Sequence, residues 1–301
     1  MCLYAWMQIR NNLDAFKNER ILGKAAAMPH PTEFGEGHKM QFGMPTLLET
    51  NTFESCAALC RELGLGFVEL NMNLPQYQLD AIDVSYFKRI AAQYGIGCTI
   101  HLDENLNVSD FNPYIAEGYR RTVRETIGIC KTLEIPILTM HFPRGVYFTL
   151  PEGKTYLFSA YRHRYLESIL DFRVMCEEAI GDSGIMICIE NSNGFLPFQK
   201  EAICLLLESP VFGLTYDIGH NHSCGGLDEP FIMQNKGKLR HMHVHDAQDG
   251  KDHLALGSGA LELNAYLALA EATGCRVVLE TKTAEGLKQS QRWVRKNGFM
   301  A

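Results

Sequence analysis

Eight short apolar runs alternate with helix-patterned segments from residue 41 onward, and seven of them close on an ionisable side chain. They span residues 41–48, 66–71, 97–102, 136–141, 185–191, 212–217, 239–245 and 276–280. Runs such as IMICIE and RVVLE are apolar at every step, which suits strands covered on both faces and not a half-wet antiparallel sheet. Such runs predict parallel β-strands packed beneath helices.

Between the runs the apolar spacing changes to steps of three and four. Phe53, Cys56, Ala57, Cys60 and Leu63 form one stripe, and Tyr119, Val123, Ile127 and Cys130 form another. Glycine introduces several strands (GLGFVEL, GIGCTI, GDSGIMICIE, TGCRVVLE), as expected where a helix ends in a left-handed cap. A length of 301 residues permits two domains, but α/β barrels commonly run as one large unit. Eight βα units point to a single-domain α/β fold, the (β/α)8 TIM barrel, over residues 39–301. A doubly wound sheet would need a reversal of strand order, and the optional GxGxxG fingerprint is absent after the first strand.

Residues 1–38 carry mixed charge, a Pro-rich PHP and a GEG turn, and do not fit the repeat. They read as an N-terminal extension. Met40 directly precedes the first strand, and Gly35, Glu36 and Gly37 have purine-rich codons at ribosome-binding distance, so Met40 is an alternative translation start. No secretory segment is visible, and ten cysteines without a CxxC pair read as reduced core thiols, so a cytoplasmic location is expected. Lys and Arg total 28 against 35 Asp and Glu, a net charge of −7 that argues against a nucleic-acid clamp. No apolar run is long enough to span a membrane.

The strand ends carry the chemistry. In order they finish on Glu69, His101, His141, Glu190, Asp217, the pair His243 and His245, and Glu280. A charge closing a buried strand is costly unless it is paired, hydrogen-bonded or metal-bound, and in a barrel this rim holds the active site. Six of the eleven histidines lie between residues 220 and 253. Glu190, Asp217, His243 and Glu280 come from four successive runs and converge over the pore. Three carboxylates and one imidazole suit one divalent ion, Mn²⁺ or Mg²⁺, with Co²⁺ or Zn²⁺ acceptable. His241 and His243 share a strand face with His245, while Gly257 and Gly259 let the following loop bend back over the site.

The motifs IEN at 189–191, YDIGH at 216–220, HVHD at 243–246, HLALGSG at 253–259 and LET at 279–281 resemble the xylose isomerase-like barrel superfamily. That superfamily joins sugar isomerases and epimerases to zinc-dependent apurinic endonucleases. The resemblance implies that Glu190, Asp217, His243 and Glu280 bind the metal, that Glu190 and Glu280 are the acid/base pair, and that His220 lies beside substrate. The arginine of many ketose epimerases, six residues after the metal histidine, is replaced by Asp249. The trinuclear zinc pattern can also be laid on His101, His141, Glu190, Asp217, His220, His243, His253 and Glu280, with Lys251 where one zinc-binding Asp is expected.

These features lead to an isomerase or epimerase acting on a small sugar or sugar phosphate. Protons would move next to a carbonyl while the metal stabilises the enediolate. His101, His141, His220, His253 and Glu69 are expected at the substrate, and Arg144 in HFPRG on a phosphate or carboxylate group. Tyr147, Phe148 and Phe195 are expected mainly in core packing, with an apolar wall under the sugar as the alternative. The rivals are a zinc phosphodiester hydrolase, an inosose dehydratase-like lyase and a sugar-binding barrel without turnover. Rim-loop pairing in related barrels implies a possible homodimer.

Overall fold

A computed structural model describes residues 40–300. The extension expected over residues 1–38 lies outside them. The strands are β1 (Gln41–Pro45), β2 (Phe67–Asn71), β3 (Gly97–His101), β4 (Ile137–His141), β5 (Met186–Glu190), β6 (Phe212–Asp217), β7 (Leu239–Val244) and β8 (Arg276–Leu279). Each pairs in parallel with its sequence neighbours, and β8 pairs with β1, closing an eight-stranded barrel. The fold is a (β/α)8 TIM barrel, and each of the eight expected runs contains one of its strands.

Local chemistry sets the helix ends. Thr52 caps Phe53–Glu62 in a capping box with Ser55, Asp83 caps Val84–Tyr94, and Asn112 followed by Pro113 starts Pro113–Leu133. Gly95 and Gly274 end their helices in the left-handed conformation, with φ of 63° and 67°. Both predicted stripes face inward: Phe53, Cys56, Ala57, Cys60, Val123, Ile127 and Cys130 are buried. The nine cysteines among the described residues are all free. No described helix is long and apolar enough to cross a membrane.

Contacts between non-adjacent strands identify the inward-facing positions. Thr139 on β4 meets Thr215 on β6, hydroxyl to hydroxyl, at 3.2 Å, and Glu69 on β2 reaches His241 on β7 at 2.9 Å. Two residues further along β4, β6 and β7, the same inward face presents His141, Asp217 and His243 at the C-terminal rim. The barrel therefore has a polar layer of Thr99, Thr139, Thr215 and His241, all fully buried, directly below the ionisable rim.

Two antiparallel hairpins extend the rim: Tyr147–Leu150 with Gly153–Tyr156, and Asp246–Gln248 with Lys251–Leu254. The first corrects the core-packing expectation for Tyr147 and Phe148. They remain 43% and 58% exposed because the chain leaves β4 as a two-stranded ribbon outside the barrel sheet. Phe195 is buried, packed edge-on against Phe231.

Candidate metal centre and active site

Glu190, Asp217, His243 and Glu280 converge as the sequence suggested. The Nδ1 of His243 lies 3.0 Å from Glu190 Oε1, 3.0 Å from Glu280 Oε2 and 3.8 Å from Asp217 Oδ2. On the other side of the ring, Nε2 lies 2.8 Å from Glu69 Oε1. The Glu69 charge faces the Nε2 edge, although the contact is not aligned as a hydrogen bond, and Nδ1 faces three acceptors. A cation must stand there, either a proton on Nδ1 or a metal ion.

The electrostatics agree. Burial pushes the Glu190 and Glu280 carboxyls up, but His243 acting with His141 and His101 on Glu190, and with Lys282 and His253 on Glu280, holds both well below the usual carboxylate range. Burial lowers His243 less than Glu190, Glu69 and Glu280 raise it, so its pKa stands well above an ordinary imidazole. Glu280 Oε2 is buried without a hydrogen-bond partner among the described residues. A divalent ion fits this donor set: it would satisfy that oxygen and displace the Nδ1 proton, and buried carboxylates without compensation each cost several kcal/mol.

Glu69 is placed behind His243. Its Oε2 accepts from Thr99 Oγ1 at 3.1 Å and pairs with His241 Nε2 at 2.9 Å. Burial raises its carboxyl, yet His243 and His241 hold it below the usual range. Burial in turn lowers His241, which favours the neutral ring donating from Nε2.

A second group gathers on the other oxygen of Glu190. His101 Nε2 stands 3.1 Å and His141 Nε2 3.2 Å from Oε2. His101 Nδ1 lies 2.8 Å from the Leu102 carbonyl and must donate to it, which aims the other nitrogen at Glu190. Burial lowers the His101 pKa, but Glu190 outweighs it and lifts the value to about 9. A third group, His220, His245 and His253, sits beside Asp217. Asp217 caps the turn that follows β6, accepting the His220 amide at 2.6 Å, and both its oxygens contact His245 Nε2 at 3.1 and 3.2 Å.

Residues 57–297 match the sequence profile of the family described as xylose isomerase-like TIM barrel. The chain belongs to that family. An uncharacterized protein of Methanocaldococcus jannaschii is 27% identical over 198 residues, covering 61% of this chain and 63% of that protein. Among solved structures, a D-tagatose 3-epimerase-like protein superposes with a TM-score of 0.70 at 22% identity, over 85% of this chain and 96% of that one. The 3-keto-D-glucoside 4-epimerase YcjR of E. coli gives 0.69 at 15% identity, covering 86% and 100%. The IOLI protein with a binding zinc atom gives 0.66 at 18%, covering 86% and 97%. At these identities the likeness is one of fold.

Within this xylose isomerase-like barrel, Lys251 does not enter the third histidine group. It opens a hairpin strand and is exposed, while His245 from the end of β7 stands with His220 and His253. His245 Nδ1 receives the His253 amide N–H at 2.7 Å, so that nitrogen bears a lone pair and Nε2 bears the proton facing Asp217. Gly219 makes room for the ring: a Cβ there would lie 1.9 Å from His245 Cε1.

Sequence reasoning missed three further groups. Lys282 Nζ lies 2.8 Å from Glu280 Oε1 and lines a cavity of about 270 Å3 with Thr46, Glu69, Asn71, His101 and Glu280. Asp246 accepts the amides of Ala247, Gly257, Gly259 and Leu261, anchoring the loop that carries His253. Asp228 accepts the amides of Gly194 and Phe195, fixing the loop after β5. Asp246 stands 11 and 13 residues before Gly257 and Gly259, too far for a local turn motif, and nothing in the sequence marks Lys282. Arg144 lies across the rim from Lys282, its Nη2 bonded to the carbonyls of Asn193 and Gly194.

Proposed function

We propose that this chain is a metal-dependent sugar isomerase or epimerase that transfers a proton next to a carbonyl of a small polyhydroxylated substrate. The observation that carries this reading is the approach of Glu190 and Glu280 to one imidazole nitrogen, each at 3.0 Å, at a barrel mouth that opens into a cavity beside Glu280. Glu190, Asp217, His243 and Glu280 would hold the ion, and a divalent ion held there supplies Lewis-acid polarisation to a carbonyl group. Glu69 keeps the His243 lone pair aimed at the site. One of Glu190 and Glu280 takes the carbon-bound proton, and the other returns one to the neighbouring carbon or the opposite face. His141, His220 and His253 line the mouth as donors to substrate hydroxyls, while His101, whose two ring nitrogens are held by the Leu102 carbonyl and Glu190, borders the substrate and orients Glu190. The free cysteines fit a reducing compartment, the cytoplasm.

Exchange of substrate C–H with deuterated water, followed by NMR over a panel of ketoses and inososes, tests the proposal. Exchange that requires added Mn²⁺, Mg²⁺, Co²⁺ or Zn²⁺ supports it, and its absence across the panel rejects it. Loss of water from an inosose in the same spectra would identify dehydration instead.

The three histidine-containing groups favour one other reading, a polynuclear zinc phosphodiester hydrolase. The structure weakens it at His245, whose lone pair is already taken by the His253 amide. The net charge of −7 also opposes polyanion binding. About three zinc ions per chain together with cleavage at abasic sites would establish the hydrolase.

A further inference from the structure

Two cations stand at the barrel mouth, and they differ in whether their charge is already matched. The Lys282 ammonium is paired with Glu280 at 2.8 Å. Among the described residues no carboxylate approaches the Arg144 guanidinium to ion-pair distance. Its Nη2 is held by two backbone carbonyls, Asn193 and, at 2.8 Å, Gly194. A guanidinium has five N–H donors, so the Nε and Nη1 donors remain without a protein partner among the described residues. The side chain is therefore a fixed, unneutralised fork.

It lines a cavity of about 130 Å3 shared with His141, Ser192, Asn193, Phe195, Gln199 and the exposed Glu104. His141 joins this cavity to the centre, since its Nε2 is 3.2 Å from Glu190 Oε2. The loop on the far wall is rigidly held, because Asp228 binds the Gly194 and Phe195 amides.

We infer that Arg144, with Ser192 and Asn193, forms a subsite for an anionic group on the substrate, a phosphate or a carboxylate remote from the reacting carbon. The inference rests on the isomerase reading for the word substrate, but not for the anion site itself. A planar fork with two free edges binds such a group through paired hydrogen bonds, which a lysine cannot reproduce. The substrate would lie across the rim, its reacting end beside Glu280 and its anionic tail at Arg144.

Calorimetric titration of the metal-loaded, full-length protein with inorganic phosphate, and separately with acetate, tests the site without turnover. Phosphate should bind the unaltered protein at least tenfold more tightly than Arg144→Gln, with Arg144→Lys between them. The same tenfold dependence for acetate alone would identify the group as a carboxylate. Equal binding of both anions by the unaltered protein and Arg144→Gln overturns the subsite. If Arg144→Gln does not fold, Arg144→Lys and Ser192→Ala carry the comparison, and unchanged phosphate affinity in both overturns it equally. In deuterium exchange, Arg144→Gln should raise KM for D-fructose 6-phosphate at least tenfold more than for D-fructose. An Arg144-dependent anion affinity without exchange of any sugar would sustain the subsite and reject the isomerase. Exchange of both sugars with equal response to Arg144→Gln would do the reverse.

Discussion

Glu69 and His243, from β2 and β7, meet at 2.8 Å inside the barrel, which sets a carboxylate charge against the Nε2 edge while Nδ1 faces the three rim carboxylates. The Glu69 charge beside Nε2 favours a proton on that nitrogen, which leaves the Nδ1 lone pair for a cation. Glu69→Gln should weaken divalent-ion affinity about 10–100-fold, the usual effect of losing a carboxylate behind a metal-binding histidine. Competition with a chelating dye measures this, and circular dichroism checks that the barrel persists. Affinity within twofold of the parent would show that Glu69 does not orient the ring.

Glu280→Gln keeps the side-chain shape while removing the charge. Carbon–hydrogen exchange should fall about 10²–10⁴-fold, the range of a lost general acid or base. Circular dichroism and Tm check the fold, and an unchanged exchange rate would remove Glu280 from the proton-transfer step.

Cation binding should expel protons and strengthen with rising pH. Glu190 lifts His101 to about 9 despite burial, and its neighbouring carboxylates raise His243 well above its ordinary value. Without the ion both rings hold protons near neutrality, and the ion must displace one from Nδ1 of His243. The sign for the metal-free fold is opposite. The His101 contribution to stability is complete below its unfolded pKa of about 6.5 and is lost as pH rises through about 9. Calorimetry in buffers of different ionisation enthalpy counts the protons, and thermal melts of chelated protein between pH 6 and 10 follow the stability. An affinity independent of pH would contradict the first expectation.

Gly219→Ala should destabilise the fold by about 1–3 kcal/mol, because its Cβ would overlap the His245 ring at 1.9 Å. Gly237→Ala, with nothing within 4 Å, should change stability by less than about 0.5 kcal/mol. Denaturant titration compares the two. The Gly219→Ala variant should also bind the ion more weakly, since His245 holds both oxygens of Asp217.

The barrel and the central quartet were legible because both write themselves locally. A buried parallel strand is an apolar run, and Glu190, Asp217 and Glu280 are the polar residues that end such runs. Sequence spacing could not pair Glu69 with His241 across 172 positions, since that needs the register of a closed sheet. Counting two back from His253 put Lys251 where the zinc pattern expects a ligand Asp, but it could not show that the hairpin leaves Lys251 exposed and that His245 comes in from the preceding strand. Tyr147 and Phe148 look like core by composition. Only the ribbon after β4, which stands apart from the barrel sheet, leaves both of its faces and so both residues exposed.

Asp246 gathers four amide hydrogens from the segment that follows it. One carboxylate thus serves as the main peg of that segment, with His253 on His245 and Leu256 on Ser290 as secondary ties. Substitutions and length changes near the exposed tip around Gly250 should therefore alter what the mouth admits without disturbing the ring below. In laboratory evolution, this stretch is where new selectivity can be written at the least cost in folding.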